Sequence, residues 1–257
     1  MNQKRREVLQ VHLHSKPFTS YKELEILFPE VSGMTIRRDI DYFESIGEVI
    51  KVRCGARSMK YITTSFEAPF VHRASQNIRS KRKIAKYAAN MVEAGRSVFI
   101  DSGTTALELA AFLPDERLNI TTTSPSVALS LMDHRKSMVH LVGGLLHPES
   151  LSVSGLPALS YIQEINIDIA LLSPSGFSLK DGFTCGNYGE CELKRLIVSK
   201  ARKVIIITDI NKYDRSLPYT FCQLDNVHDL VVESPLPEEF LKIALEKGTN
   251  VHIADTI

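Results

Sequence analysis

The sequence predicts an α/β protein in two parts, a small N-terminal domain over residues 1–62 and a largely parallel α/β domain over residues 75–257, joined by a linker at 63–74. Three observations predict this. The first 62 residues place apolar side chains at helical spacing and then close on a hairpin pattern. From Ser97 onward, short runs rich in β-branched residues recur with helical stretches between them. The charge is also divided. Residues 1–86 hold 17 Lys and Arg against 9 Asp and Glu, net +8, which leaves 14 against 21, net −7, on the remainder. A length of 257 residues suits two domains.

Residues 3–14 form the first predicted helix, with Val8, Leu9 and Leu13 as its buried side. His12 and His14 on it read as surface or packing residues rather than ligands. Ser20-Tyr21-Lys22-Glu23 is a capping box, in which side chains at both ends satisfy helix N-terminal donors. It opens a short helix through Leu24 and Leu27 that Pro29 ends. Ser32 is a good N-cap for the next helix, and Gly47 a suitable stop. Ile36, Ile40 and Phe43 make one apolar stripe along it, while Thr35, Arg37, Arg38 and Asp41 take the other face. Two short helices with a tight turn, the second basic at its start, describe a helix-turn-helix. Its second helix would enter a DNA major groove, where arginine forks pair with guanine edges.

Glu48–Arg53, the turn Cys54–Ser58 and Met59–Ile62 read as a hairpin. Behind a recognition helix, a basic hairpin is a wing placed to touch phosphates. The expected DNA-binding residues are therefore Ser32, Met34, Thr35, Arg37, Arg38, Arg53 and Arg57. A basic head on an acidic body supports the same reading.

Residues 63–69 are polar and end in Pro69, as a linker would. A long helix is expected next, running to Glu93, with Ile84, Ala88, Met91 and Val92 on one face and Gly95 as its stop. Its basic first half, from Arg73 to Lys83, reads as a connector. The predicted strands of the body are Val98–Ile100, Leu118–Thr122, Met138–Val142, Ile167–Leu172, Val204–Thr208, Leu230–Val232 and Val251–Ile253. Helices are expected at Thr105–Leu113, Val127–Met132, Pro157–Glu164, Glu190–Ala201 and Pro237–Glu246. Such alternation argues for a parallel sheet covered on both faces.

The strands run into loops of small and hydroxyl residues. These are Asp101-Ser102-Gly103-Thr104-Thr105, Thr123-Ser124-Pro125-Ser126, Gly143-Gly144 and Ser173-Pro174-Ser175-Gly176. Ligands of open α/β sheets bind beyond the carboxyl ends of strands. Small residues there let an anion approach backbone N–H groups, hydroxyls add donors, and the helix dipole favours negative charge. Neither a Walker A sequence nor a Rossmann glycine fingerprint is present, so a simple phosphate fits better than a nucleotide.

Val31-Ser32-x-x-Thr35-Ile36-Arg37-Arg38-Asp39-Ile40, followed by Gly47 and Lys51-Val52-Arg53-Cys54-Gly55-Ala56, resembles the signature of the DeoR-type bacterial repressors. Arg53 and Cys54 stand where His and Gly are common. The resemblance continues through Asp101–Thr105, Gly143-Gly144, Gly182-Phe183-Thr184 with Asn187, Glu190 and Lys194, and Asp209-x-Asn211-Lys212-Tyr213. Thr123-Ser124 replaces the usual Asn-Ser. The resemblance implies a sensor domain with the fold of ribose-5-phosphate isomerase, which binds a phosphorylated sugar and thereby releases the repressor from DNA. By the same resemblance Asp101 would bond sugar hydroxyls, Ser102, Gly103, Thr104 and Thr105 with Lys212 would hold the phosphate, and Glu190 and Lys194 would pair or line the mouth. Ser124, Gly143, Gly144 and Asn187 complete the expected effector set.

The function expected is thus a sequence-specific transcriptional regulator, a repressor of carbohydrate-metabolism genes acting as a homodimer or homotetramer on a double-stranded operator. The competing reading is an isomerase, since Asp101, Glu190 and Lys212 are residue types that move protons between adjacent carbons. A DNA-binding architectural protein without a ligand would leave the phosphate-like loops unexplained. No apolar run is long enough to span a bilayer and no secretory signal is visible, so a cytoplasmic protein with reduced thiols at Cys54, Cys185, Cys191 and Cys222 is expected. No cofactor and no metal site are expected.

Overall fold

A computed structural model describes residues 2–59 and 68–254. The chain divides into two compact units, Met1–Thr64 and Ser65–Ile257.

In the first unit, α1 (Asn2–His14) is followed by β1 (Phe18–Ser20), α2 (Tyr21–Leu27) and α3 (Gly33–Ser45). Then come β2 (Val49–Val52) and β3 (Gly55–Ser58). Both predicted starts hold. Ser20 and Glu23 make the full capping box of α2, and the Ser32 side chain accepts from the Thr35 N–H at the head of α3. Leu9, Leu13, Leu24, Ile36, Ile40 and Phe43 are buried together as the core. Each contributes about 1.5–3 kcal/mol by leaving water. Val8, expected inside, is 51% exposed, because Leu9 and Leu13 one turn apart already cover the core-facing side of α1.

The hairpin differs from expectation. Its turn is Arg53-Cys54, and Gly55–Ser58 is the return strand rather than the turn. A third strand, β1, pairs with β3, so Gly55 faces Ser20, and a Cβ at Gly55 would lie 2.1 Å from the Thr19 carbonyl oxygen. That close approach is why a glycine stands there, and it reads from sequence as a turn residue. Residues 60–62, expected in the second strand, and 63–67 of the expected linker lie outside the described residues.

The second unit begins with α4 (Phe70–Ser75), inside the stretch expected to be linker, and α5 (Ile78–Ala89). The single long helix expected here is therefore two. Asn77 between them takes a left-handed conformation, with φ 50°. The ammonium of Lys81 closes the break by donating to the carbonyls of Arg73 and of Gln76, the latter at 2.7 Å. Both carbonyls lie at the end of α4, where helical donors run out; the Arg73 carbonyl also accepts from the Gln76 N–H at 3.3 Å.

The sheet strands are β4 (Ser97–Ile100), β5 (Asn119–Thr122), β6 (Met138–Leu141), β9 (Ile167–Leu172), β12 (Ala201–Ile207), β14 (Asp229–Val232) and β15 (Asn250–Ile253). They pair in parallel in the order β15-β14-β12-β9-β4-β5-β6. Helices α6 (Thr104–Phe112), α7 (Pro125–Ser130), α8 (Leu156–Glu164), α9 (Tyr188–Lys200) and α10 (Glu238–Glu246) connect and cover them. Short strands β7 (Leu145–His147), β8 (Ser152–Ser154), β10 (Gly176–Ser178), β11 (Gly182–Cys185) and β13 (Tyr219–Cys222) form small antiparallel additions. Successive strand residues serve opposite cores. Val98, Ile100, Ile169, Leu171, Ile205 and Ile207 pack with α5, α6 and α7 on one face. Phe99, Ala170, Leu172, Val204 and Ile206 pack with α8, α9 and α10 on the other. Both faces being dry is the reason these strands read as continuous apolar runs.

Candidate functional site

On the first unit, α3 buries Ile36, Ile40 and Phe43, which leaves Met34, Arg37 and Arg38 exposed at its beginning. The Ser32 hydroxyl accepts from Thr35 N at 3.3 Å and lies 3.0 Å from its hydroxyl, so these two residues build the N-terminus of α3. Asp39 has a different part. It is buried, and its two carboxylate oxygens accept from Arg5 at 2.7 Å and Arg6 at 2.9 Å. It anchors α1 to α3. The wing is tied to α3 by the Lys51–Asp41 ion pair and by Lys51 N donating to Glu44 at 2.8 Å. Arg53 in the turn and Arg57 on β3 are exposed. Met34, Arg37, Arg38, Arg53 and Arg57 thus offer unburied contacts on a helix start and a wing, the form of a surface for DNA.

In the second unit the connection order reverses between β4 and β9. After β4 the chain moves outward through β5 and β6, then returns to the other side of β4 at β9 and moves outward again through β12, β14 and β15. Loops leaving β4 and β9 part there, which is where a parallel sheet offers a crevice for a ligand. The two loops are stitched together by Asp101, whose Oδ2 accepts from the Ser173 backbone N–H at 2.8 Å. Gly103, with φ 120°, brings the turn past Ser173 in a conformation that a side chain would strain.

Lys194, on α9, reaches into this junction. Its ammonium lies 2.9 Å from Asp101 Oδ2 and 2.8 Å from Glu190 Oε1, and it donates to the Ser173 carbonyl at 2.8 Å. All three charged side chains are buried. Burial pushes the Asp101 carboxyl up against the pull of Lys194. Burial would lower the Lys194 ammonium, but two carboxylates hold it well above the ordinary lysine value. Glu190 is also buried, yet Lys194 keeps its carboxyl below the usual range. The triad is one ammonium shared between two carboxylates. The expected pairing of Glu190 with Lys194 is present, and Asp101 joins it.

The helix starts around the crevice are not alike. Ser124 caps α7, its hydroxyl accepting from Val127 N at 3.3 Å, and it is buried. Asn187 caps α9, accepting from Glu190 N at 3.0 Å. Both therefore have local structural work. The start of α6 has Gly103 as its N-cap and no side-chain cap. Ser102, Thr104 and Thr105 line that start, all buried, and the Thr105 hydroxyl has no hydrogen-bond partner among the described residues. Of the three starts, α6 alone lacks a side-chain cap, and the Thr105 hydroxyl is buried within it.

Lys212 lies on the loop after β12, and its ammonium donates to the Pro174 carbonyl at 2.8 Å, next to Ser173. It reaches the same junction. Lys81, which the sequence reading did not single out, is buried beside it, and burial together with the charge of Lys212 brings its pKa down to about 8. Asn77 reaches Asp209 of the same loop at 3.5 Å. Lys81 was hidden in a basic run, Arg79 to Lys83, where apolar Ile84 and Ala85 mark the inward face but nothing marks an inward lysine.

Gly144 is explained by packing, since a Cβ there would lie 2.4 Å from the Ser154 carbonyl oxygen. Gly143 faces open space. Ser154 in turn bonds His147 at 2.6 Å and lies against Gly189 at the start of α9, so the β7–β8 hairpin that follows the two glycines abuts the helix that holds Glu190 and Lys194. His147 and Ser154 are the residues this corner adds. They come from short strands whose alternation is too brief to read in sequence.

Residues 76–234 match the DeoR C terminal sensor domain, and residues 5–61 match the DeoR-like helix-turn-helix domain. The chain is similar to the HTH-type transcriptional regulator GolR of Listeria innocua, 30% identical over 227 residues that span 88% of this chain and 89% of that protein. It is equally similar to the HTH-type transcriptional regulator IolR of Bacillus subtilis, 30% identical over 87% of this chain and 88% of that protein. Among solved structures, ribose 5-phosphate isomerase A of Methanocaldococcus jannaschii is 16% identical at a TM-score of 0.40, with 54% of this chain and 55% of that chain covered. A likeness of that size says nothing about activity. With both of its parts matched, a winged helix-turn-helix head and a sensor domain, the chain belongs to the DeoR family and is a DNA-binding transcriptional regulator.

Proposed function

We propose that this regulator is a cytoplasmic repressor of carbohydrate-metabolism genes, that a phosphorylated sugar is its effector, and that binding the effector releases the operator. The observation that carries this reading is the uncapped start of α6 beside the Asp101–Ser173 contact, with the Thr105 hydroxyl buried in that start and without a partner among the described residues. A phosphate accepts from helix N-terminal amides and hydroxyls at once. Lys212 and Lys81 supply cations on the neighbouring loop and helix, and a charge-assisted bond to phosphate is shorter and stronger than a neutral one. Asp101 and Glu190 offer acceptors for sugar hydroxyls. Two copies of the chain would read paired half-sites.

The site is proposed to bind without turnover. A general base acting near neutral pH needs a carboxyl raised toward that range. Glu190 is shifted the opposite way by Lys194; Asp101 is pushed up by burial, but its Oδ2 is already taken by the Ser173 N–H and the Lys194 ammonium.

A thermal-shift screen of phosphorylated sugars tests the ligand class. A ligand at about 100 times its Kd adds roughly 2.7 kcal/mol of stability. The stabilising compound is then added to protein bound to a DNA duplex selected from a random pool, and the expected result is weaker binding. A screen without a hit among sugar phosphates, or a hit that leaves DNA affinity unchanged, defeats the proposal. Conversion of an aldose phosphate to its ketose by the purified protein, lost in Glu190→Gln, establishes the isomerase instead.

A further inference from the structure

Tyr21 opens α2 and lies where the wing and the recognition helix meet. Its backbone N–H donates to the carbonyl of Cys54, in the wing turn, at 3.0 Å. Its ring is buried beneath Arg37 of α3, whose guanidinium carbon stands 4.6 Å from the ring centroid. Its hydroxyl is buried and has no hydrogen-bond partner among the described residues. The wing is pressed onto this same corner, since Gly55 meets the Thr19 carbonyl and the Ser20 Cα at distances that leave no room for a side chain. One residue therefore touches the turn of the wing through its backbone and the recognition helix through its ring.

The two neighbouring arginines of α3 are held differently. Arg37 is seated over the Tyr21 ring. Arg38, one position on, is exposed and has neither an ion pair nor a ring contact among the described residues. A free arginine loses rotamer freedom when it docks, whereas one already stacked has lost part of it beforehand. Base-edge recognition by arginine needs a fork held in one plane and direction, while a phosphate accepts charge from many directions.

From these contacts we infer that Tyr21 is a positioning residue for operator specificity: its ring presents the Arg37 guanidinium to a base edge, and Arg38 serves the phosphate backbone. The two arginines then divide recognition between them. Arg37 carries the choice of sequence, and Arg38 carries affinity that any duplex receives. The ring acts through its face, so its hydroxyl is dispensable.

The test uses the full-length protein, a duplex selected by the wild type from a random pool, and a scrambled duplex of the same length. Pentafluorophenylalanine in place of Tyr21 reverses the charge distribution of the ring face in a somewhat larger ring, and Tyr21→Phe is its unfluorinated reference. The ratio of selected to scrambled affinity should fall about two- to fivefold, the size of a cation–π contact at a partly exposed site. Tyr21→Phe should keep the wild-type ratio. In the Arg37→Ala background the fluorinated ring should cause no further loss of ratio, which a role in packing alone would not produce. Arg38→Ala should weaken both duplexes alike and lower the salt slope by about 0.9. Equal weakening of both duplexes by the fluorinated ring, a full loss with Tyr21→Phe, or an undiminished effect in the Arg37→Ala background each overturns the inference.

Discussion

The Lys194 ammonium lies 2.9 Å from the Asp101 carboxylate and 2.8 Å from that of Glu190, with all three side chains out of water. A buried pair of this kind is strong evidence of cost when broken, since removing one partner leaves an uncompensated charge. Lys194→Met should destabilise the protein by about 3–5 kcal/mol at pH 7, read from urea unfolding. Asp101→Asn added to Lys194→Met removes one of the two stranded carboxylates and should restore part of that loss. A double variant as unstable as the single one would mean that packing, not charge, explains the effect.

Arg53 and Arg57 are exposed on the wing, and the arginine over the Tyr21 ring is Arg37. Each is expected to touch phosphate. Arg57→Ala and Arg53→Ala should each lower the slope of log affinity against log salt by about 0.9 and leave the selected-to-scrambled ratio unchanged. A salt titration with the wild-type slope removes that residue from the interface.

The head was legible because its signals are local. Ser20 with Glu23, Ser32, and the spacing of Ile36, Ile40 and Phe43 each report one turn of helix, and each is found in place. The central body strands β4, β9, β12 and β14 were legible because both faces are dry, which leaves apolar runs. What escaped depends on distant partners. Gly55 looked like a turn residue because the strand it must pass, β1, is only three residues long. The break between α4 and α5 carries no proline or glycine, and Asn77 is tolerated there because Lys81 ties off the carbonyls. In the proposed effector site the strand-end motifs marked loops that lead into helix starts. They could not say that Ser124 and Asn187 spend their side chains on caps while the start of α6 goes uncapped.

Lys212 donates to Pro174, one residue from the Ser173–Asp101 contact, so its charge stands at the proposed phosphate seat. Lys212→Ala should leave affinity for the selected duplex near wild type and weaken the response to the sugar phosphate. Coupling between two ligands typically amounts to about 1–3 kcal/mol, or roughly 5–150-fold. A variant that releases DNA at the wild-type effector concentration places Lys212 outside the site.

Lys81 gives the site a proton signature. Burial, and then the neighbouring Lys212 charge, bring its pKa down from 10.5 to about 8, with Arg73 acting the same way and Asp209 and Glu108 opposing. Its folded value lies below its unfolded one, so without ligand the stability linked to this group rises with pH between about 8 and 10.5. A dianionic phosphate beside Lys81 and Lys212 favours the ammonium and raises that pKa. At pH 8 a sugar phosphate is already fully ionised, its second pKa being near 6, so any proton taken up on binding comes to the protein. Calorimetry at pH 8 in two buffers of different ionisation enthalpy should show uptake of a fraction of a proton per site. Lys81→Arg keeps a permanent charge at that position and should bind with the uptake abolished. Uptake that persists in Lys81→Arg assigns the proton elsewhere, and binding without any uptake in the wild type separates Lys81 from the phosphate.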